Sequence, residues 1–371
     1  MSREPLMRCA LEQMLKQFKD GRPETVLFTT FNFNAQFFEA NILPLLAGNS
    51  VDELKGGVEA RMQLNAALQQ TKTLVVCDRS ARPEPKGDFR YGLMPVGLEK
   101  GRFHPKIILM SGTLADSSGS GLWLSVGSGN LSLSGWAVNR EIVGTIPVAS
   151  KHRPGLSALL RWLLWTSEER INWLSKDGSD VERVNSANNE EGNTRSILET
   201  LIDSLGKNCI VDRDATDLPS FHLSLPSHPP GSELPISKAL ITELSGDKSW
   251  KRATIVSPFW ADVTGLMKEV HVEQFRFVPS VRPDGNYSFP LELLTADKEK
   301  NDKCSFLRFQ QEGDRYTHAK AILFENDEER VLCIGSANFT TAALMTGTGL
   351  LSNVEVMLRY SKIKGDPWKG L

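Results

Sequence analysis

The chain has 371 residues, 40% of them hydrophobic, and a formal net charge of −2. That supplies a sizeable core, in two or three domains or one large duplicated one, and argues against a generally basic nucleic-acid binder while leaving room for a local basic groove. Cys9, Cys77, Cys209, Cys304 and Cys333 are scattered and odd in number, which points to buried free thiols of a reducing cytoplasm and away from disulfides or a zinc site; no uninterrupted apolar run reaches membrane-spanning length.

The first residues interleave polar with apolar side chains, unlike a signal peptide, so the expected setting is soluble and cytoplasmic. Residues 5–19 carry apolar positions at helical spacing, with Gly21 to end the helix. Residues 25–33 read as a strand rich in Phe and Thr, 35–46 as a helix, and 50–69 as a mixed, partly helical connection. Residues 73–77 are a continuously apolar strand of the kind buried on both faces. Residues 78–88 read as a loop and 141–146 as another strand. Residues 154–174 place Leu156, Leu159, Leu160, Trp162, Leu163 and Trp173 at helical spacing, which predicts core packing against a sheet rather than a docking surface. Residues 175–193 read as a polar linker, 196–205 as a short helix, and 218–235 as a Pro/Ser-rich segment in which His222 and His228 are solvent-facing loop histidines. The charged run 297–303 reads as a solvated loop.

The second half repeats the first. Residues 236–244 match the first helix, 253–259 match 25–33, and 275–279 match 74–77. A compound pattern also occurs twice. Phe103-His104-Pro105-Lys106 leads into an apolar strand, a Gly/Ser-rich loop and a second strand ending Gly127-Ser128-Gly129-Asn130. Tyr316-Thr317-His318-Ala319-Lys320 leads through strand 318–324 and a polar turn to a strand ending Gly335-Ser336-Ala337-Asn338. Side chains at i and i+2 share a strand face, so His318 and Lys320 point the same way. Gly335 permits a sharp turn at the strand end. Imidazole, ammonium and carboxamide then converge, a suitable set for an anionic phosphate ester. Glu141 and Glu355 occupy equivalent positions downstream. The repeat is over a hundred residues long, a duplicated domain rather than a solenoid.

Two copies of His-x-Lys followed by Gly-Ser-x-Asn resemble the phospholipase D superfamily, over roughly residues 20–150 and 235–360. The resemblance implies an α/β fold of two phospholipase D-like lobes related by a pseudo-twofold, each a mixed β-sheet covered by helices: an N-terminal lobe at 1–150, a helical and Pro/Ser-rich connecting insert at 151–234, and a C-terminal lobe at 235–371. The common family pattern has an Asp five residues after the Lys. Here Ser111 and Glu325 stand there, which moves the chain toward the branch that resembles tyrosyl-DNA phosphodiesterase and some nucleases.

The implied chemistry is phosphodiester cleavage through a phosphohistidine. Lys106, Lys320, Asn130 and Asn338 would clamp the non-bridging oxygens. By resemblance His104 attacks and His318 is the acid/base, although the two halves look symmetric. Glu141 and Glu355 would each reach a histidine across the pseudo-twofold to fix its tautomer. Ser128 and Ser336 are candidates to hydrogen-bond the phosphate. No metal or other cofactor is needed by this chemistry, so activity is expected to survive EDTA. Arg79, Arg82, Arg90, Tyr91, Arg102, Trp136, Arg282, Arg315 and Tyr316 are candidate nucleic-acid contacts, a mixture that suits single-stranded DNA; Arg102 and Tyr316 are the nearest to the histidines in sequence. The alternatives are a phospholipid phosphodiesterase or phosphatidyl transferase, supported only by the Leu/Trp helix, and a non-catalytic member that binds DNA or a partner protein. Family analogy alone adds phage defence or DNA repair beside an ATPase or helicase partner.

Overall fold

The computed structural model describes residues 6–48, 57–81, 90–98, 100–116, 119–176, 181–210, 215–226, 239–281, 285–290, 302–309, 315–345 and 352–368, without the side chains of 57–61, 63 and 168–192. Six strands alternate with helical and loop segments in the first part of the chain: β1 (Thr25–Thr30), β2 (Lys72–Asp78), β3 (Gly92–Val96), β4 (Ile107–Thr113), β5 (Ser120–Gly127) and β6 (Val143–Pro147). They pair in the order β3-β2-β1-β4-β5-β6. The first three are parallel and the rest antiparallel.

The later strands are β7 (Ser220–Ser224), β8 (Trp250–Ser257), β9 (Trp260–Ala261), β10 (Val272–Pro279), β11 (Cys304–Phe306), β12 (Ala321–Glu325), β13 (Arg330–Gly335), β14 (Phe339–Thr340) and β15 (Glu355–Tyr360). The second sheet runs β11-β10-β8-β12-β13-β15-β7. Strand for strand it repeats the first sheet, with the same parallel and antiparallel pairings. Its one addition is β7, which comes from the connecting segment and pairs antiparallel with β15.

The apolar pattern explains the layers. Along β1 every residue is buried, but alternate side chains enter different cores. Val26 and Phe28 face one side and Leu27 the other, as the two-residue period of a strand requires. The outer side of the first sheet packs on helix α1 (Leu6–Leu15), α2 (Ala35–Asn41), α3 (Leu43–Leu46) and α4 (Gly57–Leu68). The outer side of the second packs on α7 (Leu240–Ser245) and α8 (Val263–Lys268). Between the sheets lies one shared core. Leu74, Leu109 and Val126 of the first sheet meet Val256, Leu323 and Val356 of the second, together with Leu156, Trp162, Leu198 and Leu201 of α5 (Arg153–Lys176) and α6 (Val181–Lys207).

The Leu/Trp helix is therefore core. Leu156, Leu159, Leu160, Trp162 and Leu163 are all at most 2% exposed, which leaves no apolar face for a bilayer on the described part of that helix. Each such side chain contributes about 1.5–3 kcal/mol by burial. Among the described residues no helix is long and apolar enough to cross a membrane.

Several expectations are corrected. The stretch at 175–193 is not a linker throughout: α6 begins at Val181, and the short helix expected at 196–205 is its C-terminal part. Its polar Ser/Asn/Glu composition disguised a helix that docks through Ile197, Leu198, Leu201 and Leu205. Strands β3 and β11 had no counterpart in the reading, being short and interrupted by Pro95 or polar residues. The 318–324 strand begins only at Ala321. His222 is not a solvent-facing loop residue: it lies in β7, with Nδ1 3.2 Å from Glu243 Oε2 and Nε2 2.8 Å from Ser220 Oγ. His228 and residues 297–301 lie outside the described residues.

Candidate active site

The site forms where the segments before β4 and β12 meet the starts of the segments leading to β15 and β6. His104-Pro105-Lys106 is extended chain pinned to β1: the Thr29 hydroxyl donates to the Pro105 carbonyl and accepts from the Ile107 amide, both at 3.0 Å. Phe103 is fully buried and stacks on Trp162 of α5, with centroids 6.1 Å apart and planes within 2°. Its amide donates to the buried Asp78 carboxylate at 2.6 Å. The backbone leading to His104 is thus fixed by core packing and a charge-assisted hydrogen bond.

The two lobes are stitched together at this point by matched backbone pairs. Phe103 bridges Val354, with the His104 amide donating to the Val354 carbonyl at 3.1 Å. Thr317 bridges Arg140, with the His318 amide donating to the Arg140 carbonyl at 2.9 Å. Each bridge delivers a glutamate from one lobe to the histidine of the other. His104 Nδ1 lies 3.0 Å from Glu355 Oε2, and His318 Nδ1 lies 2.8 Å from Glu141 Oε1. The crossed pairing expected from sequence is the one present.

Ser128 and Ser336 turn toward the glutamates. Both are wholly buried, and their hydroxyls donate to Glu141 Oε2 and Glu355 Oε2 at 2.5 Å while accepting from the amides of Ile142 and Val356. The expectation that they touch phosphate is corrected: they support the carboxylates. Gly335 is likewise not needed for a turn. A Cβ there would sit 2.2 Å from the Val356 carbonyl oxygen, so it is the close approach of β15 that requires glycine.

Lys106 and Lys320 are 3% and 0% exposed. Each donates to the carbonyl of its own histidine, at 2.8 and 2.7 Å. Burial pushes both lysines down, Lys320 to about 8 and Lys106 well below the usual lysine range, where the charge of Lys320 adds to the effect. Burial also lowers both histidines. His318 falls to about 4, with Lys320 contributing; His104 is lowered too, with Glu355 opposing the shift and the two lysines adding to it. For Glu141 and Glu355 burial acts upward, but hydrogen bonds and charge from the histidines, lysines and serines together hold both carboxylates below their ordinary value. At neutral pH the pairs are therefore ionised glutamate and neutral imidazole with its proton on Nδ1.

The lobes differ in detail. The Lys320 ammonium lies 2.9 and 2.8 Å from the two ring nitrogens of His318. Among the described residues His104 Nε2 has no such partner. Asn130 Oδ1 accepts from the Thr30 hydroxyl at 3.4 Å and the Asn32 amide at 3.3 Å, whereas Asn338 Oδ1 is buried with no hydrogen bond. A buried, unsatisfied amide oxygen is costly and marks a place where a ligand group would be welcome.

Around the site, Arg102 and Arg79 are exposed and line a cavity of about 600 Å³ with Asp78, Ser80 and Leu98. Phe31 lies 5.5 Å from the His104 ring, a neighbour that sequence reading did not single out. Tyr316 lies 6.3 Å from the His318 ring, and Arg315 is exposed beside it. Two other candidate contacts are corrected. Tyr91 is buried and bonded to Glu39, and Trp136 is buried against Phe37. Arg90 is exposed, its amide held by Asn65. Arg82 and Arg282 lie outside the described residues. No group of three or more His, Cys, Asp or Glu that could hold a metal occurs among the described residues. The positions of the absent family Asp are structural: Ser111 is buried in β4, and Glu325 pairs with Arg330 at 3.0 Å at the far end of β12.

By sequence the chain matches no family model and no curated protein. By structure it is similar to a histidine-to-alanine mutant of yeast tyrosyl-DNA phosphodiesterase, at 13% identity and a TM-score of 0.51 over 96% of this chain and 87% of that one. Phosphatidylserine synthase of Haemophilus influenzae aligns at 12% identity and 0.43 over 96% and 81%. Polyphosphate kinase of Porphyromonas gingivalis aligns at 12% and 0.42 over 98% and 43%. The fold is like that of yeast tyrosyl-DNA phosphodiesterase, with two large mixed sheets flanked by helices.

Proposed function

We propose that this chain is a phosphodiesterase that cleaves nucleic acid through a phosphohistidine intermediate, with no metal ion required. The observation that carries the reading is the reciprocal pair of His–Glu contacts, one histidine from each lobe, set among two buried lysines. A phosphodiester is anionic and repels nucleophiles. Lys106 and Lys320, which repel each other in a dry site, would gain by holding its non-bridging oxygens, with Asn130 and Asn338 beside them.

His104 is the nucleophile in this scheme. Its Nε2 is free of partners among the described residues, while Glu355 holds its Nδ1 proton. Attack forms the N–P bond and breaks the P–O bond, and His318 delivers a proton to the departing oxygen. Lys320 sits against the His318 ring until phosphate draws the ammonium away, after which the ring would take from solvent the proton it donates. In the second step His318 takes a proton from water, which attacks the phosphohistidine and releases His104.

A nucleic-acid substrate is favoured by the exposed Arg79, Arg102 and Arg315 and by the rings of Phe31 and Tyr316 beside the histidines, a combination suited to a single strand. An ATPase or helicase partner would fit as the supplier of that strand. The lipid alternative loses its one support, because the Leu/Trp helix is buried through Leu163. The test incubates the protein in EDTA with single-stranded DNA, duplex DNA, RNA and phosphatidylcholine vesicles, alongside His104→Ala and His318→Ala. Cleavage of nucleic acid that both substitutions abolish is the expected result. Turnover of lipid alone, or DNA retention without cleavage, would overturn it.

A further inference from the structure

Each lobe carries an Asn-x-Glu tripeptide of which only the glutamate was apparent in the sequence: Asn139-Arg140-Glu141 and Asn353-Val354-Glu355. The middle residue makes the backbone bridge to the residue preceding the other lobe's histidine. The glutamate takes that histidine's Nδ1. The asparagine Nδ2 donates to the glutamate Oε1, at 3.4 Å in the first lobe and 3.0 Å in the second. Asn353 is gripped at its other end too, where Oδ1 accepts from the Arg102 amide at 2.9 Å. One carboxamide thus joins the backbone that carries His104 to the carboxylate that orients it.

We infer that Asn353, and more weakly Asn139, is a positioning residue for the histidine of the opposite lobe, fixing the carboxylate so that Nδ1 is engaged and Nε2 is presented to phosphorus. The carboxylate of Glu355 accepts from three sources: His104 and Ser336 at Oε2, and Asn353 at Oε1. It is fully buried, so no solvent replaces a missing donor. Removing the Asn353 donor leaves Oε1 bare and makes the carboxylate a stronger base. The charged groups facing His104 are Glu355, Lys106 and Lys320, and only Glu355 draws its proton affinity upward. His104 should therefore titrate at higher pH when the donor is lost. The effect on rate rests on the phosphodiesterase reading; the effect on titration does not.

The informative variant is Asn353→Ala. It removes the donor to Glu355 without setting a second carboxyl beside that buried carboxylate, where Asp would share a proton with it or raise His104 by its own charge. The titration of His104 is followed by NMR of the imidazole Cε1–H in the full chain, with wild type alongside and thermal midpoints as the folding control. The expected result is a His104 titration moved to higher pH in Asn353→Ala. On single-stranded DNA, kcat should drop about tenfold with KM little changed, the scale of losing a group that orients a catalytic side chain. Asn139→Ala should move His318 in the same sense and by less. An unmoved His104 titration in a folded Asn353→Ala protein would overturn the inference, whatever happens to the rate. A moved titration in a protein that cleaves no phosphodiester would leave the positioning role intact and sink the proposed function instead.

Discussion

At the scale of single residues, the site is a set of buried groups whose protons are placed by neighbours. Ser128→Ala and Ser336→Ala remove a donor from a buried carboxylate and are expected to cost about 1–3 kcal/mol each, measured as denaturant midpoints. A midpoint equal to wild type would mean the hydroxyls are not supporting Glu141 and Glu355. His318 supplies a pH signature. Its folded value is about 4, against 6.5 for an unperturbed histidine, so the unfolded chain binds the extra proton between those values. Stability is therefore expected to rise with pH from about 4 to 6.5, by up to about 3 kcal/mol from this group. His318→Gln should flatten that rise, read from urea midpoints across the window; an identical slope in the variant would contradict the assignment. The residues that gather at the site were legible because each occurs twice in the same order. What the serines do was not legible, since Gly-Ser at a strand end reads alike whether the hydroxyl faces a cleft or a carboxylate. Tyr91 and Trp136 misled because composition names the side chain and not the side of the sheet it enters.

At the scale of elements, the site depends on how closely backbones approach. A Cβ at Gly335 would lie 2.2 Å from the Val356 carbonyl oxygen, against 3.0 Å from the Ile142 carbonyl oxygen at the equivalent Gly127. Gly335→Ala must push β13 from β15 and carry Ser336 away from Glu355. It is expected to lower the denaturant midpoint clearly more than Gly127→Ala, whose neighbour need yield only a few tenths of an ångström. Equal effects would mean that β15 is not held as close as this. Strands with continuous apolar runs, such as β2 and β13, were legible from period and composition, as was α5. The N-terminal half of α6 was not: its Ser- and Asn-rich sequence has poor helix propensity, and the packing of Leu198, Leu201 and Leu205 carries the helix. Strands β3 and β11 escaped because they are short, lateral additions to a sheet, specified by the partner strand more than by their own residues.

At the scale of the whole molecule, duplication produces one site by making each lobe incomplete. The sheets share a core, and each histidine is oriented by the opposite lobe. Groups that act as a unit lose their effect together, so His104→Ala, His318→Ala and the double substitution are expected to show the same residual rate on single-stranded DNA. Losses that multiply in the double variant would mean that the two imidazoles act at separate places. The duplicated pattern made the two lobes legible, because the repeat exceeds a hundred residues and preserves the order of every motif. The shared core was less so, since nothing in the order of motifs says which face of each sheet turns toward the other. The most direct measurement traps the intermediate. The protein in EDTA is mixed with single-stranded DNA and quenched during turnover in alkali, where an N–P bond survives, and its peptides are weighed. The account predicts a phosphoryl adduct on the peptide bearing His104. An adduct on any other residue, or none while the wild-type enzyme cleaves the same strand, would contradict it.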